Sequence, residues 1–104
     1  MTTPTPVLDT LIDINAASIS HSQLSPRELM LARIAAMVAV DAPPASYLAN
    51  ARPGAASGLN QQDVQDVMIA VAPIVGTAKV VSAGGNMMRA LGFAIMVEGE
   101  QAGA

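Results

Sequence analysis

The sequence predicts an all-α fold, a compact bundle of about four to five helices forming one domain over residues 1–104, and three observations carry this. Apolar residues recur at spacings of three and four, two helix starts carry capping signatures, and no segment alternates apolar and polar residues as a half-buried strand does.

Taken in chain order, Val7, Leu8, Leu11, Ile12 and Ile14 predict a first helix over about Pro6 to Ser18. Ser25-Pro26-Arg27-Glu28 then sets a Ser at the N-cap, a Pro at the first helical position and a Glu three residues after the cap, which together form a capping box. The helix it opens runs through Leu29, Leu31, Ile34, Met37, Val38 and Val40 and stops before Pro43-Pro44, because a proline disfavours helical geometry in the residue before it. A short helical turn is expected over Pro44 to Asn50. Asn60-Gln61-Gln62-Asp63 repeats the capping logic, and its helix carries Val64, Val67, Met68 and Val71 before closing near Pro73 to Gly76.

The last helix is predicted from Thr77 to about Met96, with Val80, Met87, Leu91 and Ile95 on one face and a frayed tail over Glu98 to Ala104. Gly84 and Gly85 break the local rule there, since each costs about 1 kcal/mol in a helix interior relative to alanine. A close helix crossing at these glycines, within the subunit or across an oligomer interface, is the expected compensation. Two of the long helices are expected to pair as an antiparallel hairpin.

Composition limits the function. Charged residues make up 12 % of the chain and apolar types 52 %, with twenty alanines, seven methionines, one Phe, one Tyr and no Trp. Average soluble domains carry about 25 % charge, so too little is present to cover a lone subunit, and a homo-oligomer is expected. The net charge is −3 and the five Lys and Arg residues form no stripe, which leaves nucleic-acid binding without its electrostatic or its stacking component. Met1 to Val7 does not read as a secretory signal, and the uncharged stretch Val67 to Ala78 is too short to span a bilayer. A cytoplasmic protein without a membrane partner is the expectation. The absence of cysteine excludes disulfides, thiolate metal sites and peroxidatic thiols. One His and scattered carboxylates in no calcium-loop pattern give no metal site either.

From Leu24 to Gly92 the chain resembles the carboxymuconolactone decarboxylase family, which also contains the alkylhydroperoxidase-D-like proteins. The resembling residues are Leu24-Ser25-Pro26-Arg27-Glu28, then Gly58-Leu59-Asn60 with Asp63-Val64 and the apolar run to Ala72, then a last helix rich in small residues. Redox members of that family place two cysteines and a histidine where this chain has Val40, Pro43 and Tyr47. Without a thiolate there is no peroxide reduction. Members lacking thiols include decarboxylating lactone enzymes, so the resemblance implies a helical homo-oligomer that needs no cofactor and acts, if it is catalytic, as a lyase on a small anionic metabolite. A non-enzymatic oligomeric binding or accessory protein that kept the fold is the alternative.

Glu28 occupies the family's general acid or base position, although its place in the capping box also accounts for it. Tyr47 stands at the family histidine and offers a hydroxyl, but with an ordinary pKa near 10 it is a poor base at neutral pH, and core packing with a satisfied hydroxyl is the plain account. Arg33 sits in an otherwise apolar helix and must find a partner, either an acid such as Asp13 or Asp41, a neighbouring subunit, or a bound anion. Lys79, Ser82 and Asn86 share one polar face of the last helix, a ligand-binding lining if it points inward and ordinary surface if it points outward. His21 and Ser46 lack partners for catalysis.

Overall fold

Proline opens three of the helices, where its fixed φ suits the first turn and its missing N–H costs no intrahelical bond. In the computed structural model, which describes residues 4–92, the helices are α1 (Pro6–His21), α2 (Pro26–Ala39), α3 (Pro44–Ala56), α4 (Gln61–Val75) and α5 (Thr77–Gly103, described to Gly92). No strand occurs among the described residues. The frayed tail expected over Glu98 to Ala104, and Ile95 with it, lies outside them.

Both capping boxes form. Ser25 N donates to Glu28 Oε1 at 2.9 Å while Glu28 N donates to Ser25 Oγ at 3.1 Å. Asn60 and Asp63 exchange the same pair of bonds, each 2.9 Å long. The helix ends are equally specific. At the end of α2, Ala42 N donates to Met37 O and Asp41 N to Val38 O, which is the Schellman closure, with Asp41 in the left-handed region at φ 55°. The end of α3 closes in the same way through Leu59 N to Gly54 O and Gly58 N to Ala55 O, but there the left-handed residue is Gly58, at φ 84°. A glycine meets that geometry without strain. Asp41 is the unusual choice, and a side-chain bond described below holds it.

Two helices are longer than the sequence predicts. α1 continues to His21, so this histidine is the exposed last residue of a helix and not part of a loop. α3 is a full helix of 13 residues and not a turn ending at Asn50. Its Pro53 falls in the last turn, where Ser57 closes back on the Pro53 carbonyl through both its N–H (3.0 Å) and its Oγ (2.8 Å).

The core is a stripe of α2, Met30, Ile34 and Val38 at intervals of four, extended by Ala42, Tyr47, Ala83 and Ala90. Val38 is wholly buried. α4 packs chiefly on α2, and α5 chiefly on α3. The sequence-adjacent α4 and α5, joined by Gly76 alone, touch each other less than either touches those partners, so pairing across the chain dominates over a neighbouring hairpin.

Two expectations about α5 are corrected. The side chains it turns inward are the alanines Ala83 and Ala90, with Met87 beside them, whereas Leu91 is exposed. The crossing within the subunit, one of the two alternatives expected at Gly84 and Gly85, is made instead by Ala83 and Ala90. A Cβ added at Gly84 would meet nothing within 4 Å, and one at Gly85 would meet only the Arg89 guanidinium of the same helix, at 3.5 Å.

The radius of gyration is 15.0 Å, against about 13 Å for a closely packed chain of this length. None of the residues of α1 is buried.

Candidate functional site

The sequence points to six side chains, and the fold distributes them over four places. Glu28 is at the exposed start of α2, and both bonds of the capping box engage it. Those bonds from Ser25 hold its carboxyl below the usual carboxylate range, which favours an ionised cap over a proton donor.

Arg33, one turn and a half further along α2, reaches neither Asp13 nor Asp41. Its guanidinium donates to Asn15 Oδ1 at 2.5 Å and to Ser18 Oγ at 3.3 Å, both on α1. The expected acidic partner is thus replaced by two neutral ones, because the face that α1 turns toward α2 carries Asn15 and Ser18 while its aspartates lie elsewhere on the helix. Arg33 serves as the tie between α1 and the rest of the chain.

Tyr47 is 8 % exposed, and its hydroxyl has no hydrogen-bond partner. The satisfied hydroxyl expected from the sequence is not present. Burial, and secondarily the charge of Asp41, raise its pKa above the ordinary value, so it is a weaker proton source and a less accessible base than a free tyrosine.

Lys79, Ser82 and Asn86 do form one polar face of α5, and it points inward, but onto the chain itself. Lys79 Nζ donates to Ala39 O at 2.7 Å, Ser82 Oγ to Asp41 Oδ1 at 2.5 Å, and Asn86 Nδ2 to Ala42 O at 3.1 Å. All three close on the turn between α2 and α3. The end of an α-helix leaves its last carbonyls without intrahelical donors, and these side chains help supply them. The bond from Ser82 also holds Asp41 in its left-handed conformation.

These groups do not meet. Glu28 and the Ala39 carbonyl are separated by eleven residues of helix, or about 16 Å of rise, with the Tyr47 hydroxyl in the core. A cleft of about 320 Å³ lies between α3 and α5, lined by Pro44, Ala45, Leu48, Arg89 and Ala90, and none of the six residues lines it. A second, of about 410 Å³, is bordered only by Pro4 to Leu11. Among the described residues no three His, Asp or Glu side chains gather closely enough to hold a metal ion, and no helix is long and apolar enough to cross a membrane.

One ion pair has no counterpart in the sequence reading. Arg27 forks onto Asp63, Nη2 to Oδ1 at 2.6 Å and Nη1 to Oδ2 at 3.0 Å, and also donates to Gly58 O at 3.3 Å. This joins the first turns of α2 and α4. The Arg27 bond, followed by the Asn60 cap, lowers the Asp63 pKa. With 36 residues between them, no spacing rule pairs the two.

Beside the Tyr47 hydroxyl, what lacks a partner is apolar. Val7, Leu8, Leu11, Ile12 and Ile14 on α1, Ile69 and Ile74 on α4, and Val81, Met88 and Leu91 on α5 are all more than half exposed. No family model, no curated protein and no solved structure matches this chain.

Proposed function

We propose that this chain works without chemistry of its own, as a non-enzymatic, self-associating helical accessory protein. The observation that carries the reading is the engagement of the polar side chains. Glu28, Arg33, Lys79, Ser82 and Asn86 are each held in a bond that fixes a helix end or joins two helices, while large apolar side chains stand in water. Polar groups committed to the frame are poor candidates for turnover, and contiguous exposed apolar surface marks an interaction site. The likeness of residues 24–92 to the carboxymuconolactone decarboxylase family enters at the level of fold, for a member without thiols.

Sedimentation velocity over a micromolar concentration series tests this directly. A species heavier than the 10.6 kDa chain is expected, and a monomer at every concentration would overturn the reading.

A second reading, a cofactor-free lyase acting on a small anionic metabolite in the cytoplasm, draws on Tyr47, whose buried hydroxyl has no partner. Carbon dioxide release from a carboxylated lactone, lost in Tyr47→Phe and retained in Glu28→Gln or the reverse, would favour it. Absence of release from the wild type leaves the accessory role.

A further inference from the structure

The cleft between α3 and α5 is walled by two helices that pack on each other, whereas the other cleft is bordered by the single segment Pro4 to Leu11. Its volume of about 320 Å³ stands at the lower end of the range of small-molecule sites, about 300 to 1,000 Å³. Pro44, Ala45, Leu48 and Ala90 make the wall apolar, and among the described residues Arg89 is the one charged residue of the lining. The cleft thus offers a hydrocarbon surface and a single cation.

That cation is held in place. Arg89 Nη1 donates to Asn86 Oδ1 at 3.0 Å, and Asn86 Nδ2 donates in turn to Ala42 O at 3.1 Å. Ala42 precedes Pro43 and Pro44, so this relay fixes the guanidinium beside the start of α3, where Pro44 and Ala45 line the cleft. Among the described residues Arg89 Nε and Nη2 make no bond and no carboxylate pairs with Arg89, whereas Arg27 is matched by Asp63 and Arg33 by Asn15 and Ser18. The unbonded edge carries two parallel N–H groups, the fork that a carboxylate bridges. Pro43 supplies α3 with no side-chain cap, so the positive end of that helix dipole adds to the same field.

We infer that the cleft between α3 and α5 binds a small monocarboxylate with a short hydrocarbon tail, its head group on Arg89 and its tail along Pro44, Ala45, Leu48 and Ala90. The charge selects the head group. Lys79, the other cation of α5 over residues 77–92, is bound to Ala39 O and lies ten residues back, about 15 Å along the helix. A lone guanidinium matches one carboxylate, while a phosphate monoester brings a charge of about −1.5 to −2 and a third oxygen with nothing to meet it. The wall selects the tail. None of the lining residues carries a hydroxyl, amide or carboxylate, so a polyol would bury hydroxyls without partners.

NMR titration of the ¹⁵N-labelled chain with sodium hexanoate tests the assignment, with sodium acetate, hexan-1-ol and hexylamine as probes of tail and head. Saturable amide shifts are expected at Ala45, Leu48, Arg89 and Ala90, with a dissociation constant in the millimolar range. Affinity should rise about twofold to fourfold for each CH₂ added between acetate and hexanoate. Arg89→Gln, at an exposed position, should weaken hexanoate at least about tenfold, and Arg89→Lys should weaken it less, because the charge stays and the fork is lost. Ala45→Leu, on the exposed side of the wall, should abolish binding by filling the cleft with Arg89 untouched. Shifts confined to Arg89 and matched by acetate at the same concentration would mean a counterion on an exposed guanidinium and would overturn the site. Undiminished binding by Arg89→Gln, or equal binding of hexan-1-ol or hexylamine by the wild type, overturns the carboxylate. A peptide ending in leucine that binds far more tightly than hexanoate overturns the small molecule in favour of the chain terminus of a protein partner. No saturable shift with any probe overturns the proposal as a whole.

Discussion

α1 and α2 look alike in sequence and have opposite fates. Each starts on a proline, each is about four turns long, and each carries large apolar residues at helical spacing. α2 buries Met30, Ile34 and Val38 among α3, α4 and α5, whereas α1 buries nothing and meets α2 through the two bonds from Arg33. Their ends differ as well. α2 begins with a closed capping box, but Thr5 gives α1 no cap bond and instead donates to the Asp9 side chain at 3.1 Å. The lesson is that periodicity makes a helix amphipathic without supplying what it packs against.

The sharpest way to separate the two helices is truncation. Met30 is 2 % exposed, and Met30→Ala should cost about 2 to 5 kcal/mol in urea unfolding. Leu11→Ala, measured at concentrations low enough to keep the chain monomeric, should stay within about 0.5 kcal/mol. Equal losses would mean that α1 packs on the body in solution. Within the same body, Tyr47→Phe should raise stability by about 1 kcal/mol, since it deletes a buried hydroxyl that has no partner. A loss of that size would mean that the hydroxyl bonds a buried water or ligand.

Capping gives a smaller contrast with the same sense. Ser25→Ala should lose about 0.5 to 2 kcal/mol, while Thr5→Ala, with no cap bond to remove, should change the melting temperature little. Arg33→Gln probes the tie itself. Hydrogen exchange should accelerate in α1 and hold steady in α2, and uniform acceleration would make Arg33 part of the core's cooperative unit.

The smallest expected effect is that of acid. Glu28 and Asp63 both have folded pKa values below their ordinary ones, so the stability they add is complete above about pH 4 and is lost as pH falls through the lowered values. Below pH 4 the first turns of α2 and α4 should loosen together. Asp63→Asn, which removes the charge beside Arg27, should flatten that part of the pH profile, and an unchanged profile would place the acid-sensitive groups elsewhere.

Much of this fold is legible in the residues alone. The starts of α2 and α4 follow from Ser25 with Glu28 and Asn60 with Asp63, because a cap is an interaction between residues three apart and needs no tertiary partner. The shared face of Lys79, Ser82 and Asn86 is legible for the same reason, from helical spacing. Its target is not, because the carbonyls of Ala39 and Ala42 and the Asp41 carboxylate come within reach only after α5 crosses the end of α2. The Arg27 to Asp63 pair likewise exists only through the packing of α4 on α2.

The two glycines of α5 show where local reading stops. Their presence in a helix interior announces a flat surface, but which side of the helix faces the core is settled by competition between whole faces. Ala83 and Ala90 occupy the inner side, together with the three polar residues that complete the α2 terminus, and so turn Gly85, Met88 and Gly92 outward. Sequence alone thus determined the all-helical class, the capped starts of α2 and α4 and the absence of thiol chemistry, since these depend on composition and on contacts within one turn. Tertiary structure alone decided which polar groups became struts and which apolar face was left in water, since both depend on the simultaneous placement of residues forty positions apart.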